Sequence, residues 1–311
     1  MKEFLLREAK WFIIAILIIS FITFCLCRVA PGDPIQIRCP KADPEQIAQI
    51  HRELGLDKPL PIQYALYMWN FIQGDMSMSL YYLTPVKELL FPALWISFQI
   101  NLLALLIALP LGLILGIIAA KNRGKWLDST IIISSLIPRA IPSIIFILFA
   151  VLVFACILSI FPLRGWNGIF STKIIIPLIV LSLPAIGGFA EFVRVNILHV
   201  LDDEYIRTAY AKGLPEWRVL GWHVLPNAST PIVTVVIISL AELLVGSLFV
   251  EMFYGIPGSG KLMFDAFFNR DYELMMAFTI FISAAFLILV RVADLSIAVI
   301  DKRVRLGAAQ H

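Results

Sequence analysis

Charge is scarce in this chain of 311 residues. Only 15% of them are Asp, Glu, Lys or Arg, whereas 60% are hydrophobic and the mean hydropathy is +0.88. Soluble domains carry about 25% charged residues, so this chain cannot cover its apolar surface in water and needs lipid as solvent. No basic run occurs and the net charge is only +3, so no nucleic-acid partner is expected. Cysteine is sparse too. Cys25 and Cys27 share one apolar run, Cys156 sits in another and Cys39 stands alone. That spacing is neither a disulfide framework nor a paired zinc pattern. The histidines His51, His199, His223 and His311 are scattered, and neither His-Glu-x-x-His nor Gly-x-Ser-x-Gly occurs. No enzyme is expected in this chain.

One stretch imitates a nucleotide site. Gly255-Ile-Pro-Gly-Ser-Gly-Lys-Leu262 fits Gly-x-x-x-x-Gly-Lys, but Leu262 stands where a Ser or Thr hydroxyl would hold magnesium. It also follows an apolar run rather than a strand. It reads as a turn-rich loop.

Long apolar runs are what the chain does have. Crossing a bilayer takes roughly 20 apolar residues in a helix. Stretches near 11–29, 97–119, 130–159, 174–193, 230–252 and 275–300 qualify or nearly do. The first follows Lys2, Arg7 and Lys10 without a small-x-small cleavage signal, so it reads as a retained span. The fold class expected is therefore all-α, with about six membrane helices. Pro110, Pro138, Pro142, Pro177 and Pro184 fall inside these runs and predict kinks.

Basic residues alternate between loops. Lys121, Arg123 and Lys125, then Arg194, Arg207, Lys212 and Arg218, then Lys302, Arg303 and Arg305, fall on the same side as the amino end. The opposite short loops hold only Arg164 and Lys173, then Lys261 and Arg270. The positive-inside rule thus predicts both ends in the cytoplasm of a multi-pass plasma-membrane protein. The long 30–96 segment faces out. Asp43-Pro44-Glu45 reads as a helix start that Gly55 closes; a second helix runs from Pro61 to Gly74, and Thr84-Pro85 starts a third. The aromatics Tyr64, Tyr67, Trp69 and Phe71 are expected to pack or to sit at the interface.

The cytoplasmic segment 202–227 is the most informative. It begins Asp-Asp-Glu, continues amphipathically, reverses at Gly213 and resumes as a second short helix before the fifth span. By shape this is a docking surface. Within it, Ala209, Gly213, Leu225 and Pro226 resemble, in spacing, the loop that ABC-importer permeases insert into their ATPase subunits. The fuller string Glu204-Tyr205-Ile206-Arg207-Thr208-Ala209, Ala211-Lys212-Gly213-Leu214, His223 and Asn227-Ala228 resembles the dipeptide, oligopeptide and nickel permeases. So do Pro31-Gly32-Asp33-Pro34, Leu54 to Leu60, Gln63-Tyr64, Gly74-Asp75, Glu251, Pro257-Gly258, Gly260, Arg270-Asp271-Tyr272, Asp301, Arg303 and Arg305. Ser77 and Lys302 depart from that family's usual glycine and proline, and Glu242 is more like the nickel-type members.

The resemblance implies a first-permease subunit with a 1–29 amino-terminal span, a 30–96 outer helical segment and a 97–311 core that includes a 194–229 coupling loop. It implies a second permease, two ATPases holding ATP and Mg, an external binding protein, and no cofactor on this chain. Cargo would be peptides, nickel or metal chelates. ATPase coupling would fall to Glu204, Tyr205, Arg207, Ala209, Ala211, Lys212, Gly213 and Leu214. The other reading is a secondary transporter or channel that works without an ATPase.

Charges inside apolar runs complete the candidates: Arg139, Glu242, Arg291 and Asp294. Each costs at least a few kcal/mol in lipid unless paired or hydrated. Arg139 and Arg291 lie roughly 14 Å, and Glu242 roughly 18 Å, from the inner ends of their runs. Arg291 and Asp294 are one turn apart and can pair. Arg139 and Glu242 are expected to interact or to line one hydrated pathway. A structural ion pair, or snorkelling to the inner interface, stays open beside that reading.

Overall fold

A computed structural model describes residues 2–29, 35, 43–53 and 55–300 of the chain. Pro31 to Pro34, Cys39, Leu54, Asp301, Lys302, Arg303, Arg305 and His311, named above, lie outside these, as does the Asp294 side chain. The helices are α1 (Lys2–Val29), α2 (Pro44–Glu53), α3 (Leu60–Ile72), α4 (Val86–Lys121), α5 (Trp126–Ala140), α6 (Ser143–Val151), α7 (Ile175–Leu201), α8 (Glu204–Ala211), α9 (Glu216–Val219), α10 (Leu225–Glu242), α11 (Leu248–Tyr254), α12 (Ser259–Phe268) and α13 (Tyr272–Ile300). Among the described residues there is no strand, only an isolated bridge between Met78 and Pro85. Helices satisfy every backbone group within the segment, which lipid requires.

Among the described residues, five helical stretches are long and apolar enough to cross a membrane: Ala9–Val29, Val86–Lys121, Thr172–Leu201, Glu216–Leu240 and Tyr272–Val292. Trp126–Ala140 and Ser143–Ile157 reach that length and apolarity only together, across a bend of 99°, and counted as one broken span they make a sixth. The break corrects the expectation of one span over 130–159. Ile141, placed before Pro142, is extended at φ −85° and ψ 127°. A residue preceding proline is pushed out of the helical region, and proline then offers no amide to continue the ladder.

The fifth crossing also departs from expectation. It starts at Glu216, fourteen residues before the apolar run predicted at 230, and its helix ends at Glu242. Gly246 at φ +79° and the extended Ser247 separate it from α11. The Asn101 amide donates to the Leu243 carbonyl at 3.0 Å, so one carbonyl freed by the break keeps a partner. Glu242 therefore stands at a helix end and not in mid-helix. The third outer helix expected after Thr84-Pro85 is the opening of α4, which runs 36 residues without interruption. That is about 54 Å, against a hydrocarbon core of about 30 Å, so part of α4 extends beyond the lipid.

Residues up to Ile96 together with Gly258–Leu287 form one compact unit, and Ser97–Pro257 with the residues from Ile288 onward form another. In the first, α2 and α3 begin and end where the caps predicted. The Ile47 amide donates to Asp43 at 3.1 Å, and Gly55 and Gly74 take φ of +67° and +85°. Tyr64 stacks edge-on against Phe21 and Phe24 and hydrogen-bonds Ser20 at 2.7 Å, which docks α3 on α1. Tyr67 and Phe71 join the core around Phe24, Cys27 and Tyr272, while Trp69 is exposed. The outer aromatics thus mainly pack. Arg28 pairs with Glu273 at 3.0 Å, and Asp271 is buried and accepts from Ser79.

The second unit is built on α5 against α7. Gly187 lies so close to the Ser135 carbonyl that an added Cβ would overlap it, and Gly112 and Gly116 bring α4 equally close to α7. Small residues let membrane helices approach where no hydrophobic force drives them together. Near the break after α10, the buried Glu251 accepts from Ser97 at 2.6 Å and from the Ser247 amide at 3.1 Å. A carboxylate buried in lipid needs such donors.

Candidate functional site

The segment after α7 folds as the sequence predicts. Asp203 is extended and begins α8, and Glu204 supplies an acidic first turn. The helix closes as a Schellman motif. Gly213 donates to Tyr210 at 2.9 Å and Leu214 to Ala209 at 3.4 Å, with Gly213 at φ +76°. This geometry explains why a glycine stands at 213 and an apolar residue at 214.

Ile206, Ala209, Val219, Leu220 and Val224 are buried in one cluster with Ala120, Val193 and Ile197, and Leu214 packs against it. The loop is therefore anchored to the ends of α4 and α7. Glu204, Tyr205, Arg207, Ala211 and Lys212 are exposed on the other face. The candidate coupling residues thus divide: Ala209, Gly213 and Leu214 build the turn, and the other five present a surface.

The short α9 passes through a π-helical turn, Leu220–Val224, directly into α10. The sequence reading treated it as a separate helix before the fifth span. From Glu216 onward the loop and the fifth crossing thus share one continuous helical path. Two further contacts tie the loop down. Arg123 pairs with Asp202 at 2.8 Å, and Lys121 approaches Glu216 at 3.7 Å. Both pairs are exposed, so each contributes at most about 1 kcal/mol. Trp217 and Trp222 stand exposed beside this surface, with the Arg218 guanidinium over the Trp217 ring. Sequence reasoning passed over both; an aromatic pair in a charged loop was the signal. Burial, and then the Glu216 carboxylate, raise the Tyr210 phenol above its usual value, so it stays neutral.

The intramembrane charges are arranged differently from expectation. Arg139 pairs with Glu191 on α7, a residue the sequence reading did not select. Its guanidinium passes beside Gly188, where an added Cβ would stand 4.0 Å from Nε. Glu242 is exposed at the end of α10. Arg291 lies half-buried on α13. Asp128, also passed over, and Arg194, expected in the 194–229 loop but placed inside α7, form a bidentate pair at 2.5 and 2.7 Å. Their spacing from other charges in sequence hid them, because each partner lies on a different helix.

Lys261 in the nucleotide-like stretch begins α12 and pairs loosely with Asp265, four residues on, at 3.9 Å. Gly255 is left-handed at φ +69° and ends α11. The glycines here serve helix ends.

A helical membrane subunit with a folded loop that feeds directly into a span is an architecture that suits a transport permease. The chain belongs to the family described as binding-protein-dependent transport system inner membrane component, which it matches over residues 112–306. Residues 1–102 match that family's amino-terminal portion. It is a multi-pass permease subunit of an ATP-binding-cassette importer, a class that works with ATPase and binding-protein subunits. The oligopeptide transport system permease protein OppB of Escherichia coli is 33% identical over 307 residues, covering 98% of this chain and 100% of that one. AppB of Bacillus subtilis, named likewise for oligopeptide transport, is 32% identical and covers 98% and 99%. Among solved structures, the inward-facing MetNI methionine ABC transporter aligns with a TM-score of 0.55 over 69% of this chain and 97% of that one. At 17% identity that likeness concerns the fold alone.

Proposed function

We propose that this chain forms half of the translocation pathway for oligopeptides handed over by an external binding protein, with ATP hydrolysed in partner subunits. The observation that carries this reading is the coupling loop, anchored by Ile206 and Ala209 and continuous with the fifth span. Closure of a docked ATPase pair would push Glu204, Tyr205, Arg207, Ala211 and Lys212, and the α9–α10 continuity would carry that push into the membrane. Names of relatives from several bacteria specify peptides or oligopeptides, which favours peptide cargo over nickel or metal chelates.

The complete assembly contains a second, similar permease, two ATPases and one binding protein. Both chain ends face the cytoplasm. The outer helices of residues 30–96 and the 254–272 loop face the binding protein. This chain holds no ATP, magnesium or other cofactor of its own. Arg139, Glu242 and Arg291 line or flank the pathway, since a charge within an apolar run is costly in lipid unless it is paired or hydrated.

The test is reconstitution of the complete complex in liposomes with its binding protein outside. ATP-dependent uptake of an oligopeptide, with ATPase activity stimulated by loaded binding protein, is expected. Uptake that persists without the ATPases and follows an ion gradient would overturn the reading in favour of a secondary transporter.

A further inference from the structure

Two ion pairs join α5 to α7, and they differ in exposure. In Asp128–Arg194 the side chains retain 4% and 24% of their accessible surface. In Arg139–Glu191 both retain 42%. The second pair is the anomaly. Glu191 stands ten residues before the end of α7 at Leu201, roughly 15 Å along the helix axis. The Thr172–Leu201 stretch is about 45 Å long, so a hydrocarbon core of about 30 Å centred on it ends short of Leu201 and still includes Glu191. A half-exposed ion pair facing acyl chains there would be costly, so its open side must face water or another polar surface.

We infer that the Arg139–Glu191 pair faces the aqueous pathway and forms a two-point recognition site for zwitterionic peptide cargo. The inference rests on the peptide reading given above and adds to it the ligand chemistry and a residue, Glu191. A free peptide carries a carboxylate and an ammonium. Arg139 offers a planar fork of donors suited to a carboxylate, and Glu191 offers an acceptor suited to an ammonium. While the pathway is empty the two side chains satisfy each other, so neither is left as an uncompensated charge. Cargo exchanges one internal ion pair for two external ones.

The experiment has two arms on the complete complex, with native Cys25, Cys27, Cys39 and Cys156 replaced by Ala. In the first, Glu191→Cys is treated with a cationic methanethiosulfonate reagent, with Ile18→Cys on the exposed apolar face of α1 as the lipid-facing reference. Modification at position 191 at least tenfold faster than at 18 is expected. Equal, slow modification overturns the inference, whatever the complex transports. The second arm compares uptake of trialanine with that of its C-terminal amide and its N-acetyl derivative. Arg139→Gln should lower the preference for the free acid over the amide at least tenfold, and Glu191→Gln the preference for the free amine over the N-acetyl form. Arg139→Lys should retain most of the first preference. Preferences unchanged by either neutral variant overturn the recognition role. Fast modification without trialanine uptake by the parent complex contradicts the peptide reading instead.

Discussion

Asp128 and Arg194 fix α5 against α7 through two parallel hydrogen bonds of 2.5 and 2.7 Å, and the Asp128 carboxylate also accepts from the Gly124 amide at 3.1 Å. A bidentate pair sets both distance and orientation. It shares α7 with the anchor of the coupling loop, so it steadies one of the two helices from which that loop projects.

Removing one partner leaves a poorly solvated charge. Breaking a buried pair in this way costs about 3–5 kcal/mol. Asp128→Asn is expected to lower the thermal unfolding midpoint and the yield of the purified complex, and Arg194→Gln to do the same. The double variant should lose less than the sum of the two, because each single change already breaks the pair. Additive losses in melting curves would show that the pair is not one unit.

Gly187 offers a steric counterpart. An added Cβ overlaps the Ser135 carbonyl, where both groups are backbone and neither can turn aside. Gly187→Ala should therefore destabilise the complex by about 1–3 kcal/mol, the usual range for overpacking. Gly221 has nothing within 4 Å of such a Cβ, so Gly221→Ala should stay within about 0.5 kcal/mol of the parent. Chemical unfolding of both variants measures the contrast.

How far these features were legible differs by kind. Caps and turns were readable, because Asp43-Pro44, Gly55, Gly74 and Gly213 act through their own backbone. The coupling loop was readable for the same reason, since its charge pattern and Gly213 are local. The break at Pro142 was half readable: proline announces a kink, but its size of 99° depends on what packs around it. The end of α10 at Glu242 was hidden inside a continuous apolar run, where hydropathy does not separate one helix from two. The partners of Arg139 and Arg194 were not readable. Each lies on another helix more than fifty residues away in sequence, and choosing among several carboxylates requires helix register. Glu242 was matched to Arg139 on depth alone, and depth says nothing about which face a side chain occupies.

Gly213 gives a prediction on coupling. At φ +76° any other residue is strained, by roughly 1–2 kcal/mol for alanine. That is too little to unfold the unit but enough to shift the Schellman turn. Gly213→Ala should assemble with near-normal yield while the ATPase stimulation caused by loaded binding protein falls severalfold. Parallel assays of complex yield and of stimulated ATPase separate the two effects.

Lys261 tests the nucleotide-like stretch. Its ammonium lies near Asp265 at the start of α12, and Leu262 offers no hydroxyl for magnesium. Lys261→Ala should leave the affinity of the complete complex for ATP unchanged in equilibrium binding. A tenfold loss would mean that this loop touches phosphate.

In the proposed mechanism the exposed face of α8 transmits ATPase closure to the spans. Glu204 sits on that face, in the first turn of α8, outside the packed cluster, so reversing its charge leaves the fold intact. The direct measurement is ATP hydrolysis and peptide uptake, side by side, in liposomes containing the Glu204→Lys complex. Uptake per ATP hydrolysed is expected to fall at least tenfold, or the ATPases to dissociate during purification. Full uptake with normal complex yield would contradict the account.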